Sequence, residues 1–226
     1  MLRSTIDGVI DAARAFAADR QCALPVFAGW SREHWQGNIE ALRPTMERGL
    51  GWDVTDFGRG DFARYGLCLC TLRNGSLEER DSGRGQTYAE KFMMVEVGQE
   101  TPFHFHRTKV EDIINRGGGD LHVEIYPADG ESLGTGSTRT FVDGISRDVL
   151  AGERVVLLPG QSIQIPIGAF HRFWAEDERV LAGEVSAVND DVDDNVFLEK
   201  FPRYASIDED SPARYLLVGE YDSLLG

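Results

Sequence analysis

Gly98-Gln-Glu-Thr-Pro-Phe-His-Phe-His-Arg-Thr-Lys-Val-Glu-Asp-Ile-Ile-Asn-Arg-Gly-Gly118 is the stretch from which the fold can be read. Side chains alternate along a strand, so His104 and His106, two apart, project from one face of an extended segment. Glu111 follows five residues later, far enough for the chain to turn and present the carboxylate from an adjacent strand. A fourth donor is needed to complete a protein cage, and His171, at the end of Gly160-Gln-Ser-Ile-Gln-Ile-Pro166-Ile-Gly168-Ala-Phe-His171, can supply it. Three neutral imidazoles and one carboxylate suit a borderline divalent cation such as Mn, Fe, Co, Ni or Zn.

Around these motifs the pattern is that of strands. Tyr65-Gly-Leu-Cys-Leu-Cys-Thr-Leu runs to a turn signal at Asn74-Gly75, and Asp81-Ser-Gly-Arg-Gly-Gln reads as exposed. Residues 87–97 form the strand that feeds the metal motif. Lys91 opens it, either as a solvated strand end or as a cation aimed into the cavity. From 120 to 127, Leu121, Val123 and Ile125 alternate with His122, Glu124 and Tyr126. The aliphatic set has the better claim on the interior, which makes His122 a surface residue, with a supporting role beside a ligand as the alternative. Gly, Ser, Thr and Asp between 128 and 148 suggest a hairpin excursion. Val155-Val-Leu-Leu then leads through Pro159-Gly160 to the strand carrying His171, where Phe173 faces the same way and Trp174 the opposite way. In the run from Arg179 to Asp191, Glu184 shares a face with Ala182 and Ser186. It is either a solvated acid or a buried one that must be paired or used.

Upstream, Ile6, Val9, Ile10, Ala13, Phe16 and Ala17 recur at helical spacing behind Ser4-x-x-Asp7, predicting an amphipathic helix over 4–19. A second helix begins near Ser31 and carries Trp35, Ile39, Leu42 and Met46, with a break expected at Pro44. His34, alone in its first turn, reads as structural. Gly and Asp from 49 to 61 mark a loop leading out of the helices. The expected organisation is an N-terminal helical segment over 1–60 packing on a barrel over 61–226.

Bulk composition narrows the function. The chain has 226 residues, enough for one domain or a barrel with an appendage, and a net charge of −15 that disfavours nucleic acid and anionic membrane surfaces as partners. There is no long apolar run and no basic-then-apolar start, so a cytoplasmic location is expected. Three cysteines do not make a disulfide framework, and Cys68 and Cys70 read as buried thiols on one face of a strand.

Taken together, Gly98-x5-His104-x-His106-x4-Glu111-x6-Gly118 and Gly160-x5-Pro166-x-Gly168-x2-His171 resemble the paired motifs of the cupin superfamily. The second motif often continues to Asn, where this chain has Ala175. The resemblance implies a mainly β fold, a small antiparallel barrel of jelly-roll type with the metal inside its mouth. An octahedral ion held by four protein groups keeps two adjacent positions for a chelating hydroxy-carbonyl, which would support aldose–ketose isomerisation through an enediol. The same positions would serve dioxygen and a substrate in an Fe(II)-dependent cupin dioxygenase, and a non-catalytic sugar-binding cupin is a further alternative.

A narrower resemblance, over residues 87–221, is to the D-lyxose isomerase family. It rests on Lys91-Phe-Met-Met, the run from His104 to Gly119, Glu184-Val-Ser-x-Val-Asn-Asp-Asp and the Ile207-x-Glu-Asp-x-Pro tail. It implies interconversion of D-lyxose and D-xylulose, and often of D-mannose and D-fructose, with Mn(II) held by His104, His106, Glu111 and His171. It further implies Lys91 as a substrate-contacting cation, a tail carboxylate as the proton-transfer group and Arg214 as an anchor for sugar oxygens, with Glu184 and Asp190 in the pocket and a homodimeric assembly. Glu209 is the expected base, with Asp208 and Asp210 beside it leaving the choice open.

Overall fold

The helix expected over 4–19 forms as α1 (Arg3–Asp19), burying Ile6, Ile10, Ala13, Phe16 and Ala17 along one face. The computed structural model describes residues 1–190, 193–200 and 202–225. The second helical stretch divides at Asn38 into α2 (Arg32–Gly37), capped by the Ser31 hydroxyl, and α3 (Ile39–Glu47). Asn38 leaves helical geometry at φ −132°, whereas Pro44 lies inside α3, so the break falls six residues before the proline. Pro44 costs α3 one backbone hydrogen bond, which a short helix resting on tertiary contacts can bear.

The stretch expected as a loop over 49–61 begins with a strand, β1 (Gly51–Thr55), every residue of which is buried. Trp52 and Val54 pack into the apolar cluster of α1, and Trp52 Nε1 donates to Ala28 O at 2.8 Å. Burial of these two side chains overrides the weak strand propensity of the Gly- and Asp-rich sequence. The boundary expected near residue 60 therefore falls after a strand that belongs to the main sheet.

Beyond β1 come β2 (Leu67–Asn74), α4 (Leu77–Ser82), β3 (Tyr88–Val95), β4 (His104–His106), β5 (Glu111–Gly118), β6 (Leu121–Asp129) and β7 (Ser132–Leu133). The chain continues as β8 (Ser137–Val142), β9 (Ile145–Leu150), β10 (Arg154–Leu157), β11 (Ser162–Ile165), β12 (Ala169–Ala175), β13 (Val180–Ala187), β14 (Asn195–Phe197) and α5 (Asp222–Leu225). The turn at Asn74-Gly75 leads into α4 rather than a hairpin, with Ser76 and Glu79 forming a reciprocal capping box. Only glycine fits at 75, because a Cβ there would lie 1.8 Å from Gln86 O.

Two antiparallel sheets enclose the core. The larger has the order β1-β2-β3-β13-β5-β11-β8-β9, and the smaller the order β10-β6-β12-β4-β14 with β7 beside β6. Leu121, Val123 and Ile125 of β6 point inward with Leu157, Ile163 and Phe173, as the alternation predicts. Each aliphatic side chain buried this way contributes about 1.5–3 kcal/mol. His122 lies on the other face, largely buried, its ring stacked on Trp174 at 5.5 Å and its Nε2 3.6 Å from Glu176. Cys68 and Cys70 are buried on the α1 side of β2.

The C-terminal tail returns to the N-terminus. Leu2 forms a parallel bridge with Asp208, the Ser4 hydroxyl donates to Asp210 at 2.6 Å, and the Asp7 carboxylate accepts from the backbone N–H groups of Arg214 and Tyr215. Arg3, with no exposed surface, is clamped between Glu209 and Glu220 at 2.6 and 2.9 Å.

Candidate active site

β4 and β12 pair so that His171 stands directly opposite His104, while His106 lies two residues along the same face of β4. Glu111, the first residue of β5, reaches in from the other sheet. Their ligand atoms lie within 4.8 Å of one another, and His106, Glu111 and His171 are 3, 2 and 0 % exposed. The four residues expected from the motif spacing are thus brought together where the two sheets meet.

The orientation of the rings shows what the cluster is built to hold. Nδ1 of His104 lies 2.9 Å from Pro102 O, Nδ1 of His171 lies 3.0 Å from Ala169 O, and Nδ1 of His106 lies 3.2 Å from Asp194 Oδ2. The backbone carbonyls draw the ring protons of His104 and His171 to Nδ1 and leave their Nε2 lone pairs facing the cluster, while His106 Nδ1 faces Asp194 outside hydrogen-bond geometry. Nε2 of His106 then sits 3.1 Å and Nε2 of His171 2.9 Å from the Glu111 oxygens, and both nitrogens are buried without a hydrogen-bond donor. Acceptors facing acceptors at this distance are mutually repulsive. A cation among them removes the conflict, and this donor set fits a first-row divalent ion. Burial and the neighbouring imidazoles hold His104 well below the usual histidine range, keeping it neutral.

Beside the cluster lies a second set of charges. Glu184 of β13 stands opposite Lys91 of β3, their charged atoms 3.2 Å apart. Lys109 Nζ donates to Glu184 Oε1 and lies 2.9 Å from Glu111 Oε2, so one ammonium bridges the two carboxylates. Lys91 also donates to Asn189 Oδ1. The Asn189 backbone is held in turn by Asn74, whose Oδ1 accepts from Asn189 N at 2.9 Å. Burial by itself would raise the Glu111 and Glu184 carboxyls. The charge of Lys109 together with His106 for Glu111, and with Lys91 for Glu184, outweighs burial, and both are held below the usual carboxylate range. Burial acts to lower the Lys109 ammonium as well, and the two carboxylates reverse this and push it upward.

Asp194 closes the constellation. Its Oδ1 accepts from Thr108 N at 2.7 Å and from Thr108 Oγ1 at 2.8 Å, while Oδ2 faces His106. Burial acts to raise this carboxyl, but the adjacent His106 imidazole and the Thr108 hydrogen bonds hold it at about 2.

These groups border a cavity that is polar at Lys91, Lys109, Glu184 and Asn195 and apolar at Phe57, Leu67, Met93 and Phe197. Arg203 lines it as well and pairs with Asp53 at 2.6 Å. Of the residues expected in the pocket, Lys91 and Glu184 are here. Asp190 instead borders an outer groove and accepts from Asp193 N at 3.1 Å, and its neighbour Asn189 is the residue that meets the lysines. Glu209 and Arg214 are placed on α1, away from this lining: Glu209 binds Arg3, and Arg214 binds Asp11 at 2.6 Å. Asp208 forms the bridge to Leu2 and Asp210 binds Ser4.

Sequence reasoning passed over Lys109, Asn189 and Asp194. A local signal existed for Lys109, which lies two residues before Glu111 and so tends to share its face. For Asn189 and Asp194 the partners are 98 and 88 positions away, and spacing carries no such information.

Comparisons with known proteins agree with this architecture. The Cellulomonas parahominis L-ribose isomerase in complex with L-ribose matches 81 % of this chain and 100 % of its own with a TM-score of 0.51, at 15 % identity, a likeness of fold. In sequence, the chain is 47 % identical to the D-lyxose/D-mannose isomerase of Escherichia coli O157:H7 and 43 % identical to that of Serratia proteamaculans, covering 98 % of both partners in each case. The family model for D-lyxose isomerase matches residues 1–221. With a cupin barrel, a convergent His/Glu cluster and this match over nearly its whole length, the chain belongs to the D-lyxose isomerase family.

Proposed function

We propose that this protein interconverts D-lyxose with D-xylulose, and D-mannose with D-fructose, by moving a proton between C2 and C1 of the open-chain sugar. The observation that carries the reading is the Lys91–Glu184–Lys109 array set directly against the His/Glu cluster. His104, His106, Glu111 and His171 would hold the metal, for which Mn(II) is favoured, the donor set also suiting Fe, Co, Ni or Zn. When bound, such an ion polarises the sugar carbonyl and acidifies the adjacent C–H.

Glu184 takes the role expected of Glu209. Held ionised by two ammonium groups, its carboxylate accepts the proton as the C2–H bond breaks and the electron pair moves into the enediolate. It then returns that proton to C1, while the hydroxyl proton moves from O2 to O1 and the carbonyl re-forms at C2. Lys91 and Lys109 face the negative charge that develops on the sugar oxygens, with no need to reorient during the reaction. The apolar wall around Phe57 and Phe197 keeps bulk water from the intermediate. A homodimer in the cytoplasm belongs to the same reading; no described helix is long and apolar enough to cross a membrane.

The test is to incubate the Mn(II)-loaded protein with D-lyxose and with D-mannose, under nitrogen and under air, and to measure ketose. Equal ketose formation in both atmospheres, abolished by chelation and restored by metal, is the expected result. Oxygen consumption with activity only in air would replace this reading by a dioxygenase.

A further inference from the structure

Asn189 belongs to two surfaces at once. It borders the outer groove beside Asn74, Arg48 and Tyr221, while its amide oxygen accepts from Lys91 Nζ and, at 3.5 Å, from Lys109 Nζ, the two lysines that line the catalytic cavity. An ammonium only donates, so the oxygen and not the NH₂ must face it. Lys91 Nζ is thereby drawn between Asn189 and Glu184, the latter 3.2 Å away, which restrains an otherwise flexible four-carbon stem.

Asn189 lies past the last β13–β3 pair, Ala187 with Tyr88, so that ladder does not hold it. Among the described residues, the side chain of Asn74, the last residue of β2, does. Asn74 Oδ1 accepts from Asn189 N at 2.9 Å, and its Nδ2 donates to Asn189 O at 3.3 Å and to Arg48 O at 3.1 Å. One carboxamide thus takes both backbone groups of Asn189, as a residue of a neighbouring strand would. Asn74 is 8 % exposed, and its own backbone O accepts from Arg48 Nη1 at 2.9 Å, an arginine paired with Glu79 of α4 at 3.0 Å.

We infer that Asn74 is a positioning residue: by clamping the backbone of Asn189 it fixes the amide oxygen that holds the Lys91 ammonium in place for the reaction. The inference rests on the isomerase reading given above. Lys91 acts on charge that develops only as the C2–H bond breaks, so a displaced ammonium costs rate rather than substrate binding.

The test is a set of variants assayed with Mn(II) and D-lyxose. In Asn74→Ala, kcat and kcat/KM should fall together by about 10- to 100-fold with KM little changed, and Mn(II) binding should stay as in the wild type. Asn74→Asp has the same size, but sets a carboxylate oxygen against the Arg48 and Asn189 carbonyls, and should be no faster than Asn74→Ala. The double variant Asn74→Ala/Asn189→Ala should be no slower than Asn189→Ala alone, because a residue that acts only through another adds nothing once the other is gone. Glu79→Ala removes the α4 cap and the Arg48 pair and should lower Tm while leaving kcat unchanged. A crystal structure of Asn74→Ala should show the Asn189 Oδ1–Lys91 Nζ bond lost. Wild-type kcat in Asn74→Ala or Asn74→Asp, additive losses in the double variant, an equal loss of kcat in Glu79→Ala, or a retained Asn189–Lys91 bond would each overturn the inference while leaving the isomerase reading intact. A wild type that makes no ketose although this bond is present would instead overturn the proposed function, and the inference with it.

Discussion

Replacing Glu184 by Gln separates the two carboxylates that compete for the role of base. The side chain keeps its size and an oxygen for Lys91 and Lys109, but it can no longer take a proton from carbon. General-base catalysis by a positioned side chain contributes about 10²–10⁴ in rate, equivalent to about 3–5 kcal/mol of barrier, and kcat should fall by that factor. The charges predict a second effect. Lys91, Lys109, Glu111 and Glu184 sum to zero in the metal-free pocket, and Gln leaves one buried positive charge uncompensated. Breaking a buried pair costs up to about 3–5 kcal/mol, with the Gln hydrogen bonds reducing it, so the melting temperature should fall while Mn(II) content stays near one per chain.

Glu209→Gln gives the contrast. Glu209 is 56 % exposed on its side chain, and Arg3 retains Glu220 after the change. With the buried Arg3 still paired to Glu220, turnover should stay within about fivefold of wild type. The assay is ketose formation together with deuterium exchange at C2 of D-lyxose in D₂O, which reads proton abstraction directly. An active Glu184→Gln protein, or an inactive and folded Glu209→Gln protein with its metal in place, would refute the assignment of the base to Glu184.

Stability measurements probe the rest of the structure. Adding Mn(II) at about 100 times its dissociation constant should stabilise the protein by about 2.7 kcal/mol, a rise in Tm of about 5–10 °C for a chain of this size, readable by calorimetry and absent in His106→Ala. Leu157→Ala, at a site with no exposed surface, should cost about 2–5 kcal/mol in urea unfolding without altering Mn(II) binding. The Glu220 carboxyl is partly buried, which acts to raise it, but hydrogen bonds from Arg3, Leu217 N–H and Arg32 hold it below its ordinary value. Its contribution is therefore fully present above the unfolded carboxyl range and is lost as pH falls through its folded value. The stability difference between wild type and Glu220→Gln should accordingly shrink as the pH is taken from 6 down toward 3; a constant difference would remove Glu220 from the account.

The four cluster residues were legible because each motif is local. Alternation along β4 fixes the relation of His104 to His106 and a short turn fixes Glu111, while His171 joined them through the resemblance of the second motif to cupins. The same alternation correctly separated Phe173 from Trp174 and the inward face of β6 from His122. It left Lys91 and Glu184 with two readings apiece, because whether a strand charge is buried depends on what lies across the sheet. The β3–β13 register decides both by setting them opposite each other.

What the sequence by itself determined is the inward faces of the strands and the relation of His104, His106 and Glu111, which follow from short-range periodicity and turn length, while the barrel and the convergence of His171 with them came from the resemblance of the paired motifs to cupins. The tertiary structure decided which charges share the pocket. The family resemblance pointed to Glu209 as the base, with the adjacent acids leaving the choice open, and the tail pairs alongside Leu2 and sets Glu209 on Arg3, a contact across 206 residues. Lys109, Glu184, Asn189 and Asp194 meet through strand pairing and chain return, and the energy of a buried charge is set by its neighbours in space, which no spacing along the chain encodes.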